Sequence, residues 1–201
     1  MKRQSIKYRG EHEFQVLRPK QGSSLSLVIA GAGYHTDLPL LYFISQLLVT
    51  TGDVLQAKYS SIPTEVIEEA WFEISSNRKY ESLFVVGKSA GASKASRLIE
   101  NNKEFENAKV IWLTPLIKNE KLFERLMTFK NPSLLIIGNK DRHYDAERLA
   151  QLRERANFQI KIIPNATHSL EYVDKGNVEA SLEILKEIIE EVASFIGEKG
   201  V

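Results

Sequence analysis

Cysteine is absent from the 201-residue sequence, and charge of one sign is barely in excess. Without cysteine there can be no disulfide bond, thiolate zinc site or cysteine nucleophile, and a reducing compartment is favoured. Lysine and arginine number 27 against 26 aspartate and glutamate residues, so the formal net charge is only +1. A chain with so little net charge has no overall field that would attract nucleic acid or an anionic membrane.

Long hydrophobic runs are missing as well. The longest, residues 39–49, is interrupted by Ser45 and Gln46 and is too short to cross a bilayer. Residues 1–14 are polar and lack the apolar core of a signal peptide. We therefore expect a soluble, cytoplasmic protein with no membrane span and no nucleic-acid partner. Repeats and Pro/Gly-rich linkers are absent too, so the length predicts a single domain over residues 1–201.

Short apolar runs alternate with helical patterns along the chain. Alternating residues at 5–8 and 14–17 around Arg9-Gly10-Glu11 predict a β-hairpin. Apolar runs then predict strands at 25–30, 54–59, 83–86, 110–113, 134–137 and 158–163. Each strand is followed by a predicted helix, and the first five helices lie at 40–49, 63–80, 92–99, 122–129 and 146–155. The last helix is predicted from an apolar stripe of Leu182, Leu185, Ile188, Ile189, Val192 and Ile196.

The repeated strand-helix order predicts the α/β class. Short, non-alternating Val/Ile/Leu strands are typical of a parallel sheet that is covered by helices on both faces. In such sheets, ligands bind at the carboxyl ends of the strands. The loops after residues 30, 86, 113, 137 and 163 are therefore the places where functional residues are expected.

Residues 84–93, FVVGKSAGAS, contain two competing motifs. A phosphate-binding loop needs a first glycine at position 82, which is serine here, and a loop where residues 83–86 predict a strand. The second motif is G-x-S-x-G, which presents a nucleophilic serine at a sharp turn between a strand and a helix. Gly87 and Gly91 flank Ser89 in that pattern, and the context favours it. A glycine turn with an idle serine is the simpler alternative.

A serine nucleophile needs a base and an acid, in the order serine, acid, histidine along such a chain. Asp141 follows the strand at 134–137, and His168 follows the strand at 158–163. Both are expected at the same edge of the sheet as Ser89. Asp145 is the alternative acid, and His35 is the alternative base.

The oxyanion of an acyl-transfer reaction needs two N–H donors. The first expected donor is Ala90, and the second comes from the loop Gly31-Ala32-Gly33-Tyr34. Ala32 is favoured over Tyr34 for that role. Lys88 could contact an anionic substrate group, although a solvated lysine is the simpler interpretation.

Together, Gly31-Ala32-Gly33, the motif at 87–91, Asp141 and His168 resemble the α/β-hydrolase superfamily over nearly the whole chain. The sequence is most similar to small, lidless esterases, thioesterases and dienelactone-hydrolase-like proteins. The resemblance implies a mostly parallel eight-stranded sheet with an N-terminal antiparallel hairpin and no cap domain. It also implies a Ser89-Asp141-His168 triad that acts without a cofactor. Two departures are Ala30-Gly31 where many members have His-Gly, and serine where dienelactone hydrolases use cysteine.

The resulting expectation is a serine hydrolase that cleaves a carboxylic ester or thioester through an acyl-enzyme, without a metal. Its partner would be a small-molecule acyl substrate, and Tyr34, Leu116 and Met127 would line the site that holds it. Two alternatives stay open. One is a hydrolase-fold protein that binds or regulates without catalysis, and the other is an acyltransferase or perhydrolase with the same triad. The sequence does not indicate the oligomeric state.

Overall fold

The computed structural model describes residues 1–76 and 78–197, which form one mixed sheet and its covering helices. The strands are β1 (Lys2–Tyr8), β2 (His12–Arg18), β3 (Ser24–Ile29), β4 (Gly52–Ala57), β5 (Ser82–Lys88), β6 (Lys109–Leu113), β7 (Ser133–Gly138) and β8 (Phe158–Ile163). The α-helices are α1 (Pro39–Leu48), α2 (Thr64–Ser75), α3 (Ala90–Asn101), α4 (Glu120–Thr128), α5 (Ala146–Arg153) and α6 (Val178–Ile196). A 3-10 turn at Lys103–Phe105 follows α3.

The eight strands lie in the order β1-β2-β4-β3-β5-β6-β7-β8. β1 pairs antiparallel with β2, and β2 pairs antiparallel with β4. All the other neighbours are parallel, so the carboxyl ends of β3 and β5 to β8 share one edge of the sheet. The predicted fold class is confirmed, with its opening hairpin and without a separate cap domain among the described residues.

The core is divided by the sheet into two apolar layers. In β5, Val85 points into the layer beneath α2 to α5, whereas Phe84 and Val86 point into the layer beneath α1 and α6. All three side chains are buried. This explains why the strands carry continuous apolar runs, since both of their faces are covered.

The hairpin forms one edge of the sheet. β1 is mostly exposed and carries Lys2, Arg3 and Lys7, while β2 is mostly buried between β1 and β4. The turn between β1 and β2 contains Arg9 and Gly10, both at positive φ. Arg3 also reaches the loop before α1, where its guanidinium lies 2.9 Å from the carboxylate of Asp37.

The second helix is shorter than the sequence pattern predicts. It begins at Thr64, because Pro63 has extended backbone (ψ 150) and lies at the cap position. It ends at Ser75 instead of continuing to residue 80. The Ser76 hydroxyl donates to the Glu73 carbonyl at 3.1 Å, and a serine that bonds to the backbone in this way favours the end of a helix.

The apolar stripe predicted for the last helix is partly wrong. Leu182 is 59% exposed, and Leu185 and Ile189 are only partly buried. The buried face runs through Ile184, Ile188 and Val192. Leu182 lies two residues before Ile184, a rotation of about 200°, and therefore points away from the sheet. Within the described ranges, no helix has both the length and the apolar character that a bilayer crossing requires.

We expect Ile188→Ala to lower the free energy of unfolding by about 2–5 kcal/mol, because it opens a cavity at a fully buried position. Leu182→Ala is the matched control on the same helix and should change it by no more than about 0.5 kcal/mol. Urea unfolding followed by circular dichroism measures both. Equal losses in the two variants would contradict the described orientation of α6.

Candidate active site

Ser89 occupies a tight turn between β5 and α3. Its backbone angles, φ 53 and ψ −115, lie in a region that L-residues rarely adopt. Hydrogen bonds on both sides hold this conformation: the Ser89 N–H donates to the Leu113 carbonyl at 2.9 Å, and the Ala92 N–H donates to the Ser89 carbonyl at 3.0 Å. The turn therefore has the geometry expected of a nucleophile elbow.

The two glycines of the motif are required by close backbone contacts. A Cβ atom on Gly91 would lie 2.4 Å from the carbonyl oxygen of Ile29, at the end of β3. A Cβ atom on Gly87 would lie 2.7 Å from the Cα atom of Ala92. Helix α3 thus begins directly against the sheet, and any side chain at either position would push it away.

His168 comes from the loop after β8 and reaches the serine. Its Nε2 atom lies 2.8 Å from Ser89 Oγ. The loop is closed on itself, since the Thr167 N–H donates to the Glu171 carbonyl at 2.9 Å and the Leu170 N–H donates to the Thr167 carbonyl at 3.0 Å. The imidazole is therefore presented by a short, internally bonded loop.

Asp141 follows β7 and contacts the other side of the imidazole. Its Oδ2 atom lies 2.8 Å from His168 Nδ1, and its Oδ1 atom accepts the His143 N–H at 2.8 Å. Burial tends to raise the pKa of Asp141, but hydrogen bonds from His168 and His143 outweigh it, so the pKa lies below its ordinary value. The carboxylate stays ionised and can accept the Nδ1–H, which leaves Nε2 free to accept the serine proton.

The alternative residues lie elsewhere or do other work. The carboxylate of Asp145 caps α5 by accepting the Arg148 N–H at 3.1 Å. His35 faces Tyr59 and lies 3.8 Å from Asp37. The structure thus brings together Ser89, Asp141 and His168, the three residues that the order of the motifs predicts.

His143 was not expected at this site. Its ring lies 5.3 Å from the ring of His168, measured between centroids. Burial lowers the pKa of His143, and the positive charges near it lower the pKa further against the opposing effect of Asp141. The ring of His143 is therefore biased towards the neutral form beside the ring of His168. Its position two residues after Asp141 was the only trace of this in the sequence.

The expected oxyanion donors flank the serine. Ala90 is the first residue of α3, so its N–H has no acceptor within the helix. Ala32 lies in the turn between Gly31 and Tyr34, whose backbones exchange hydrogen bonds of 3.1 and 3.2 Å. The Tyr34 N–H is used in that turn, which leaves the Ala32 N–H as the expected second donor. Among the described residues, its N–H has no hydrogen-bond partner.

A small cleft opens beside the serine, with a volume of about 70 Å³. It is lined by Ala32, Gly33, Tyr34, Lys88, Ser89, His168 and Ser169. Of the three residues expected to line the substrate, Tyr34 lines this cleft, whereas Leu116 and Met127 pack against the core beneath α2 to α5. A larger concavity of about 430 Å³ lies away from this site, at the carboxyl end of α3.

Lys88 is not solvated, so that interpretation was wrong. The residue is only 1% exposed, and its Nζ atom hydrogen-bonds within the protein. Within residues 1–76 and 78–197, no cluster of three or more histidine, aspartate or glutamate side chains is arranged to hold a metal ion.

We expect Gly91→Ala to destabilise the protein by about 1–3 kcal/mol, because the added methyl group collides with backbone oxygens of β3. Gly176→Ala is the matched control. A Cβ there meets only Asp174, at 3.4 Å, so stability should stay the same or rise by at most about 1 kcal/mol. Urea unfolding separates the two outcomes. A Gly91→Ala variant with the same free energy of unfolding as the wild type would contradict the close approach of α3 to β3.

Comparison with known proteins agrees with this architecture. The model of the family described as "Alpha/beta hydrolase domain" matches residues 53–197, and a search of curated proteins finds no match. An α/β serine hydrolase homologue from Coxiella burnetii is 13% identical, with 96% of each chain covered and a TM-score of 0.72. A lidless α/β serine hydrolase from Xanthomonas campestris is 13% identical, with 96% of this chain and 93% of that chain covered and a TM-score of 0.72.

An esterase domain from Rhodothermus marinus is 16% identical, with 98% of this chain and 100% of that chain covered and a TM-score of 0.68. At such low identity, these likenesses describe the fold. The family match spans most of the chain and, with the fold, supports hydrolase activity. The chain belongs to the α/β-hydrolase family.

Proposed function

We propose that this α/β hydrolase cleaves carboxylic esters or thioesters through an acyl-enzyme formed on Ser89. The observation that carries the proposal is a continuous hydrogen-bonded chain. Ser89 Oγ lies 2.8 Å from His168 Nε2, and His168 Nδ1 lies 2.8 Å from Asp141 Oδ2. Nucleophile, base and orienting acid therefore stand in the relation that acyl transfer by a serine needs.

In the first step, Ser89 Oγ attacks the carbonyl carbon while its proton passes to His168 Nε2. The imidazolium that results is stabilised by Asp141, whose lowered pKa keeps it ionised near neutral pH. The tetrahedral intermediate then collapses, and His168 gives the proton to the leaving alcohol or thiol. An acyl group remains on Ser89. Water next repeats the sequence with His168 as its base, which releases the acid and restores the serine.

The negative charge of each tetrahedral intermediate falls on the former carbonyl oxygen. The N–H groups of Ala90 and Ala32 are the proposed donors to it. Ala90 also stands at the amino terminus of α3, where the helix dipole favours negative charge. In other hydrolases, losing one such donor raises the barrier by about 2.7–4 kcal/mol.

The size of the cleft favours a substrate with a small acyl group. The cleft holds about 70 Å³, and Tyr34 and Ser169 are among the residues that line it. Without a cap domain among the described residues, water reaches the acyl-enzyme easily, which favours hydrolysis over acyl transfer to an alcohol. An esterase domain and a lidless serine hydrolase among the similar structures support the same class of reaction.

We expect a fluorophosphonate probe to label the wild-type protein and not Ser89→Ala. Ser93→Ala, one turn further along α3, is the matched control and should be labelled as the wild type is. Turnover of a chain-length series of p-nitrophenyl esters and acyl thioesters, measured on the same three proteins, should follow the labelling. A folded wild-type protein that neither takes up the probe nor turns over any substrate would favour a binding protein without catalysis.

Asp141→Asn should lower kcat by about 10³–10⁴-fold, because the amide stabilises the wrong imidazole tautomer. Asp145→Asn tests the alternative acid. Asparagine caps a helix as well as aspartate does, so this control should keep both activity and stability. Steady-state kinetics with a short-chain ester measures both variants. A larger loss in Asp145→Asn than in Asp141→Asn would overturn the assignment.

A further inference from the structure

Lys88 is a buried lysine where four loops of the site meet. It is the last residue of β5, and only 1% of it is exposed. Its Nζ atom donates to Thr114 Oγ1 at 2.9 Å, and Thr114 directly follows β6. The same atom donates to the backbone carbonyl of His168 at 2.8 Å, in the loop after β8. It also lies 4.8 Å from the ring centre of Tyr34, in the loop after β3.

Core packing alone does not explain a lysine at this position. Burying an ammonium costs free energy, and an apolar side chain of similar length would fill the same space without that cost. The three groups that surround Nζ, a hydroxyl, a carbonyl and an aromatic face, satisfy it almost completely. A buried lysine with these partners, directly before Ser89 in the chain, therefore points to a role in the geometry of the site.

We propose that Lys88 is a positioning residue for acyl transfer, which ties the His168 loop to the nucleophile turn and so keeps the imidazole within reach of Ser89. This inference rests on the function proposed above. The link is direct, because one Lys88 hydrogen bond ends on the backbone of His168 itself. A displacement of about 1 Å at a reacting group can lower a rate by about 100-fold.

The link persists whether Lys88 is charged or neutral. Burial lowers the pKa of Lys88 to about 7, against the opposing charges of Asp141 and Glu171. Both the ammonium and the amine can donate to the His168 carbonyl and to Thr114 Oγ1. The connection between the two loops therefore does not depend on the protonation state near neutral pH.

The test compares three proteins. Lys88→Met keeps the length of the side chain and removes both hydrogen bonds, so we expect kcat to fall by about 10–100-fold while KM changes by less than about threefold. The rate of fluorophosphonate labelling should fall in parallel. Ile188→Ala, which is destabilised on a helix that contributes no residue to the cleft beside Ser89, controls for lost stability and should keep the wild-type kcat.

Because the sequence has no cysteine, the amine can be restored chemically. Lys88→Cys is alkylated in urea with bromoethylamine, which builds a lysine analogue at this position alone, and is then refolded beside wild-type protein treated in the same way. We expect the alkylated protein to regain most of the lost kcat. The unmodified Lys88→Cys protein is a second variant should Lys88→Met fail to fold. A folded, alkylated protein that stays as slow as its parent would overturn the proposal.

A spectroscopic readout separates this inference from the proposed function. Protein labelled with ¹⁵N-histidine shows the imidazole nitrogens, and His168→Gln identifies those of His168. We expect Lys88→Met to shift the His168 signals and leave those of His12 unchanged. Unchanged His168 signals would sink the inference even if Ser89 is the nucleophile. Absence of turnover in the wild type would sink the proposed function, and the shift would still decide whether Lys88 positions His168.

Discussion

The approach of α3 to the end of β3 is the contact on which the site depends. Gly91 lies so close to the carbonyl oxygens of Ile29 and Ala30 that a single methyl group does not fit. This contact forces the chain to reverse within a few residues after β5, and the reversal places Ser89 at positive φ. Hydrogen bonds that Ser89 makes with the neighbouring strand and with the first helical turn stabilise this strained conformation. Packing of an ordinary helix on a sheet therefore fixes the position of the hydroxyl.

Parallel pairing supplies the rest of the site. Because β5, β7 and β8 run in the same direction, the loops that follow them open at one edge, and Ser89, Asp141 and His168 meet there although up to 79 residues separate them. The same pairing brings Thr114 and the His168 carbonyl to Lys88. The hydrogen bonds of Lys88 and the hydrogen-bonded chain from Ser89 through His168 to Asp141 therefore both follow from the parallel order of these strands.

Sequence patterns predicted the strands, the fold class and the three residues that lie in hydrogen-bond contact, because strand-helix alternation and loop position are local properties. They failed where the answer depends on distant packing. Leu182 has the spacing of a core residue, but α6 meets the sheet along Ile184 and Ile188. Lys88 was expected in solvent because its type usually is, and only the fold shows the partners that make burial tolerable. Leu116 and Met127 follow β6, the strand next to β5, yet they pack against the core and not beside the cleft at Ser89.

The charges on β1, the outer strand of the hairpin, bear on how the protein avoids edge-to-edge aggregation. β1 ends the sheet and leaves a row of backbone donors and acceptors without a neighbouring strand, which is a template for aggregation. Lys2 and Lys7 of this strand would approach the same cationic side chains of a second copy if two such borders came together. Like charges set opposite each other in adjacent strands repel. The border is thereby protected against fibre-like growth by its own electrostatics.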